Sequence, residues 1–228
     1  MKANAFETAL LQHLYNNSAV ANVGDATGLP AAATAGSLYV GLHTAYPGET
    51  GDQTSNEATY TGYSRAAVAR NSGGWTVSGN QVSNTAAIEF AQCTGGSDEI
   101  QYWSVGVASS GPSLILHMGL IGSTALPLPF TAKADDTITI PGHSLSVNHR
   151  VAFFPIPGGT LPTGITAGTL YFVKTVSGDD ITISTTQGGS AVDITAAGTG
   201  VVQRAIPLTV TEPIVPRFQA GQLIIVEE

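Results

Sequence analysis

Leu38-Tyr39-Val40-Gly41-Leu42-His43-Thr44-Ala45-Tyr46-Pro47-Gly48-Glu49-Thr50-Gly51 is the stretch whose reading decides the fold of this chain. Leu38, Val40 and Leu42 alternate with Tyr39, Gly41 and His43, the period of a strand that turns one face to a core, and Pro47-Gly48 ends the run in a tight turn. The same pattern recurs downstream. Strands are expected at 37–44, 64–70, 74–78, 80–84, 86–90, 99–107 and 113–120. Between them stand Ser72-Gly73-Gly74, Ser78-Gly79-Asn80, Thr94-Gly95-Gly96-Ser97 and Ser110-Gly111-Pro112. Short strands at this spacing predict an all-β, antiparallel sandwich or barrel-like body rather than βαβ units. Trp75, Phe90, Tyr102 and Trp103 then fall at core or cross-strand positions, or at an interface, where Tyr and Trp are also favoured.

Composition is in keeping with such a body. In 228 residues, 43% are apolar, enough to bury a core, and only 11% are charged, against about 25% in ordinary soluble domains. The surface is therefore made largely of Ser, Thr, Asn, Gln and Gly, as in extracellular and virion β-proteins. Eight basic residues face 16 acidic ones. The basic residues are scattered, so no face can neutralise a row of phosphates, and direct nucleic-acid binding is not expected. The longest apolar stretch, Leu114–Ile121, is too short for membrane insertion, and one Lys followed by an early Glu7 is not a signal-peptide pattern. Cys93 stands alone, which excludes an internal disulfide and a cysteine metal cluster, and reads as a small buried apolar residue.

One helix is expected, over 4–17. Asn4 is placed to cap it with Glu7 three residues on, and Phe6, Leu10 and Leu14, with Ala9 and Leu11, form one stripe. That stripe can pack on the chain's own sheet or dock on a neighbouring subunit, so Phe6, Leu10 and Leu14 are the candidate interface residues. Gly24 to Ala35 reads as a connector.

Catalytic motifs do not emerge: there is no nucleophile elbow, P-loop, dinucleotide fingerprint or His-Glu-x-x-His, so no catalytic, cofactor-binding or metal-binding residue is assigned. His43, at a strand end, reads as a hydrogen-bonded structural histidine, because a general base needs an oriented acid and a nucleophile that spacing does not supply. His143 and His149 with Asp135 and Asp136 lack a fixed ligand spacing. Asp52, Thr54, Asn56 and Glu57 offer oxygens in a loop, without the central glycine and terminal Glu of a calcium loop. Asp179-Asp180 after Gly178 is ordinary hairpin chemistry.

Leu38–Gly51, together with the segments Asn56–Arg65, Gly74–Val77 and Phe90–Gly96, resembles small β-rich structural proteins of tailed bacteriophages, usually described as tail-fibre or tail proteins. The resemblance covers about the first 125 residues and the last 20. Ala125-Leu126-Pro127-Leu128 is echoed by Ala205-Ile206-Pro207-Leu208, and joining Leu128 to Thr209 restores an ending similar to the family's. The expected organisation is therefore a discontinuous β-body of residues 1–128 plus 209–228, carrying the helix, with residues 129–208 as a second, small inserted β-domain placed at a surface loop. Strands are expected in it at 137–140, 150–154, 169–176, 180–184 and 200–204. Its runs from His143, Leu161 and Gly188 are similar to a small β-module of phage fibre proteins.

The resemblance implies a non-enzymatic structural accessory of the virion, synthesised in the bacterial host cytoplasm. Its implied partners are capsid or tail subunits. Two placements stay open, a fibre or adaptor on the tail and a decoration or cement protein on the capsid. A homo-oligomer, first of all a trimer, follows by analogy, as does a host-surface glycan as ligand of the inserted module. The competing class is a carbohydrate-binding module or hydrolase carried on the particle, for which low charge and exposed Tyr and Trp would argue, and against which the dispersed carboxylates count.

Overall fold

The computed structural model describes residues 2–123 and 127–227. Among the described residues one helix, α1 (Asn4–Asn16), precedes seventeen short strands. The backbone carbonyl of Ala3 accepts from the amides of Phe6 and Glu7 and begins the helix, and no side chain caps it. Asn4 therefore does not cap α1; its own carbonyl accepts from Thr8 Oγ1 at 2.9 Å inside the first turn. Asn17, in the left-handed region at φ 54°, ends it.

The inward face of α1 is Glu7, Leu11 and Tyr15, one residue round from the expected stripe. Tyr15 decides this rotation. Its ring meets Trp75 edge-on at 4.8 Å, and its hydroxyl reaches His117 Nδ1 at 2.7 Å, so a large aromatic side chain gains both packing and a polar partner. Arg70 donates to the Leu14 carbonyl at 2.7 Å and to that of His13, bringing a cation to the helix C-terminus.

A four-stranded antiparallel sheet runs in the order β2 (Ala66–Ala69), β1 (Ser37–His43), β7 (Tyr102–Gly106), β8 (Ile115–Leu120). A three-stranded sheet runs β17 (Ile224–Val226), β4 (Gln81–Asn84), β3 (Trp75–Ser78). Two ribbons complete the body: β6 (Ser97–Ile100) with β15 (Leu208–Thr211), and β5 (Ile88–Glu89) with β16 (Arg217–Phe218). The C-terminal strands thus pair in reverse with three strands laid down much earlier, β15 with β6, β16 with β5 and β17 with β4. Leu38, Val40 and Leu42 enter the resulting core beside Leu11, Tyr15, Trp75, Val82, Ile100 and Val105.

The intervening strands β9 (Leu128–Ala132), β10 (Ile138–Thr139), β11 (Arg150–Phe154), β12 (Leu170–Ser177), β13 (Asp180–Ser184) and β14 (Gly198–Ala205) close a barrel in the order β10-β13-β12-β11-β14-β9. Closure leaves this sheet without a free edge. Phe130, Ile138, Phe153, Tyr171, Ile181 and Ile183 fill a core of its own. Gly178, at φ 63°, makes the tight turn of the β12–β13 hairpin, where Ser177 pairs with Asp180.

Barrel and body meet along a seam. Tyr102 and Leu120 pack on Ala152, Leu170 and Ala205, with Tyr46 and Phe154 at the margin. The Tyr102 hydroxyl donates to the Gly168 carbonyl at 2.5 Å. The expected all-β class with a short N-terminal helix is the observed one.

Candidate functional site

His43 of the opening stretch joins Gln53, Glu57, Tyr63, Arg65, Ser104 and Ser113 in a polar cluster on the four-stranded sheet. Strand alternation sends Leu42 to the apolar core and His43 to the opposite side, where it is equally buried. There His43 Nδ1 lies 2.9 Å from the Ser55 carbonyl and Nε2 lies 2.8 Å from Ser104 Oγ. A carbonyl can only accept, so Nδ1 carries the proton in the neutral ring and Nε2 accepts from the serine. Burial pulls the imidazole below its ordinary pKa, and nearby Arg65 pushes the same way, against the Ser55 carbonyl and Glu57.

Gln53 extends the chain of bonds. Its amide donates to the Tyr39 carbonyl at 2.9 Å and to Ser104 Oγ at 3.1 Å, while its oxygen accepts from Ser113 Oγ at 2.6 Å and from Arg65 Nη1 at 3.3 Å. Gly106 makes room for this amide, since a Cβ there would stand 2.2 Å from Gln53 Cδ.

Arg65, its side chain 1% exposed, grips Glu57 with both arms of the fork, Nε to Oε1 at 2.6 Å and Nη2 to Oε2 at 2.8 Å. Its remaining donors reach the carbonyls of Ala108 at 3.0 Å and Gly111 at 2.9 Å. Tyr63 donates to Glu57 and accepts from the Leu42 amide, and burial raises its phenol far above its usual pKa. The cluster therefore ties the 44–65 connection, the β7–β8 hairpin and β1 into one unit.

Chemically, His43 and Ser104 have the separation of a base and a nucleophile. Both are fully buried, and the second ring nitrogen of His43 faces a backbone carbonyl where an orienting carboxylate would be needed. The pair holds structure and presents nothing to a substrate.

The other expected positions are dispersed. His143 Nδ1 accepts from the Leu145 amide, and its Nε2 is buried without a partner among the described residues. His149 Nδ1 accepts from the Ser146 amide, Asp136 from the Ile194 amide, and Asp135 from the Thr137 amide. Among the described residues no three His, Cys, Asp or Glu side chains gather as a metal-binding group. Asp52 Oδ1 accepts from the Thr54 amide at 2.7 Å, Asn56 donates to the Tyr46 carbonyl, and Glu57 is held by Arg65, so these oxygens serve the loop and the ion pair. Cys93 is buried, a core residue. Of the helix stripe, Phe6 is 46% exposed, Leu10 is half-buried, and Leu14 is half-buried against the core.

A second polar group sits at the seam, in an open cleft of about 360 Å³. Its walls carry Tyr46 and Gln101 from the body and Arg150, Thr166 and Thr169 from the barrel. The Arg150 guanidinium lies over Phe172, 4.5 Å from the ring centre, and pairs with Glu99 at 3.2 Å. Its Nε is buried without a partner among the described residues. A buried donor left so costs about 1–3 kcal/mol.

Sequence reasoning missed Gln53, Ser104 and Ser113 in the cluster, and Arg150 with Glu99 at the seam. Arg65 carried a signal, as one of only eight basic residues in the chain and part of a stretch already singled out with Glu57.

Among known proteins, the family model described as podophage GP4 fiber I protein gp80 matches residues 2–148. The matched residues hold α1, the whole polar cluster and β1 to β10, and they end between β10 and β11 of the barrel. No curated protein matches the chain.

Proposed function

We propose a function from one premise: the chain belongs to the family of podophage GP4 fiber I protein gp80. A β-rich member of a phage fibre family is a structural component of the virion and works among other virion proteins. Within that role, this chain is a non-enzymatic accessory whose body, residues 1–128 plus 209–228, fixes it to the particle while the module of residues 129–208 projects. The fibre family favours the tail over the capsid as the place of attachment.

The observation that carries this reading is the use made of the chain's reactive groups. His43, Glu57, Arg65 and Ser104 all lie within the matched residues, and all are committed to bonds inside the body. A part that must stay rigid on a particle needs such bracing; a hydrolase needs these groups open to solvent. The modular reading is supported by the amide of Ile206, which donates to the Ile121 carbonyl at 2.9 Å, so the segment leaves and re-enters the body at one place. The Ala125-Leu126 part of the sequence echo lies outside the described residues.

Attachment through α1 rests on Phe6, with Leu10 and Leu14 beside it, since Phe6 stays open on a helix otherwise bound to the body. Self-association, as a trimer in the first instance, is favoured by the edge strands β2, β8 and β17. Electron cryomicroscopy of particles with and without this subunit tests the assignment. Extra density on the tail supports it and density on the capsid surface overturns the placement. Hydrolysis of a host polysaccharide by the pure protein would overturn the non-enzymatic role.

A further inference from the structure

We propose that copies of this chain join head to tail, the β8 edge of one pairing with the β2 edge of the next while Leu114 enters a groove beside β2. The proposal rests on the self-association inferred above and names its surfaces. β8 and β2 are the two outer strands of the four-stranded sheet. Neither Ile115–Leu120 nor Ala66–Ala69 holds a Lys, Pro, Asp or Glu, the residues that ordinarily guard an open edge. β17, by contrast, runs out at Glu227, which is paired with Lys2. Beyond β8 stands a knob. The register of Gly106 with Ile115 continues into Val107 beside Leu114, and Leu114, 65% exposed, is the most open large apolar side chain among the described residues. Arg65 holds the carbonyls of Ala108 and Gly111, and Gln53 holds Ser113, so the tip is fixed before it meets a partner. Residues 102–116 carry no charge.

Beside β2 lies an open groove of about 400 Å³. Ala66 and Val68 of β2 line it together with Ala86, Ala87 and Ile88, and these mostly small side chains leave room for a leucine. The register brings knob and groove together. One row, Ala67–Tyr39–Gly106–Ile115, crosses the sheet, and each neighbouring pair of strands in it is antiparallel. Repeating the row into a second copy lays its β8 antiparallel to β2, with its Ile115 opposite Ala67 and its Leu114 level with Val68. Val68 pairs with Leu38 and packs on the core, and strand alternation turns Leu114 to that same face, toward the groove. The backbone of β2 is ready for the pairing. Because the Arg70 amide donates to the Gly36 carbonyl, alternation leaves the N–H and C=O of Ala67 pointing away from β1. The two joined surfaces differ, so the contact closes a ring or runs on as a chain of subunits.

The test follows the mass of the full chain by sedimentation over a range of concentrations, for the parent, Leu114→Asp, Ala87→Glu and an equal mixture of the two variants. Both positions are exposed, so each variant should melt with the parent. Leu114→Ser with Ala87→Gln is the reserve pair should either fail to fold. The parent should self-associate, and each variant alone should do so about tenfold or more weakly. The mixture should form a one-to-one dimer and nothing larger, because the Ala87→Glu chain still offers Leu114 and the Leu114→Asp chain still offers its groove. A parent oligomer weakened less than this by either substitution, or a mixture no better than its parts, overturns the contact and leaves self-association standing. A parent that stays monomeric up to about 1 mM, where binding is worth only ~4 kcal/mol, overturns both.

Discussion

Ile206 and Ile121 are joined backbone to backbone, the amide of the first donating to the carbonyl of the second at 2.9 Å. Gly122 lies so close that a Cβ on it would stand 2.7 Å from that of Ile206. Some eighty residues of barrel therefore hang from two adjacent points of the body.

Excising the barrel and closing Gly122 to Pro207 with a short Gly-Ser linker should leave a cooperatively folding body. The cut uncovers Tyr46, Tyr102 and Leu120 at the seam, so Leu120→Ser belongs in the same variant to keep it soluble. Calorimetry should find one transition, with a midpoint within about 10 °C of the parent, since ~1 kcal/mol moves a domain of this size by a few degrees. An unfolded product would show that the body needs the barrel's side of the seam.

His43 should make the body acid-sensitive above the carboxylate range. Its folded pKa lies below the unfolded value of about 6.5. The unfolded chain therefore binds the proton first, and stability is full above about pH 6.5 and falls as pH drops toward the folded pKa. The half-exposed His149 is also shifted down by burial, so His149→Gln is the reference background. In that background, melting temperatures at pH 8, 6.5 and 5 should fall, and His43→Gln should flatten the series while lowering it throughout. An equal slope with and without His43 would remove it from the acid response.

Arg65 should be the most costly single residue of the cluster. Arg65→Met strands Glu57 and the carbonyls of Ala108 and Gly111, a loss of about 3–5 kcal/mol for a broken buried pair. Urea denaturation measures it. Arg65→Lys should recover only part, because an ammonium cannot form the two-armed contact with the carboxylate.

Gly106→Ala tests the packing of Gln53. With Gln53 in place the new methyl has no room, and a loss of about 1–3 kcal/mol is expected from overpacking. Combining it with Gln53→Ala should cost less than the sum of the two single changes, a coupling that a double-mutant cycle reads directly.

Phe6→Glu should leave the melting temperature within about 2–4 °C of the parent, since the exposed ring contributes little to the core. It should weaken incorporation into particles if α1 is the attachment element. Deleting residues 1–20 is a different experiment, because it removes Leu11 and Tyr15 from beside Trp75. At about 1.5–3 kcal/mol for each large apolar side chain unburied, the body itself should be crippled. Normal incorporation of Phe6→Glu would move the attachment surface to the sheets.

The strands of the body were legible wherever alternation was clear, as in Leu38, Val40 and Leu42. They were lost where it was not: β16 is two residues long and β17 is a continuous Ile-Ile-Val run, and in the barrel β9 carries Pro129. In α1, hydrophobicity alone named Phe6 and Leu10, and the protein chose Tyr15, whose hydroxyl meets His117 and whose ring meets Trp75, two partners distant in sequence. The cluster was half-visible for the same reason. His43, Glu57 and Arg65 sit within a stretch the eye already follows, whereas Ser104 and Ser113 reach Gln53 from 51 and 60 residues away. No local period marks a serine that a hairpin will fold back.

The reversed pairing of β15, β16 and β17 with β6, β5 and β4 imposes an order of events on a chain emerging from a ribosome. Everything the barrel pairs is made once Ala205 has appeared, so it can close while the partners of β4, β5 and β6 are still unmade. The older part of the chain must wait, its three strands held open, until Val226 is available. Such long-range closure is slow, and open edges invite pairing with other nascent chains. The body is thus the last part of the chain that can be completed, although it holds the first residues made.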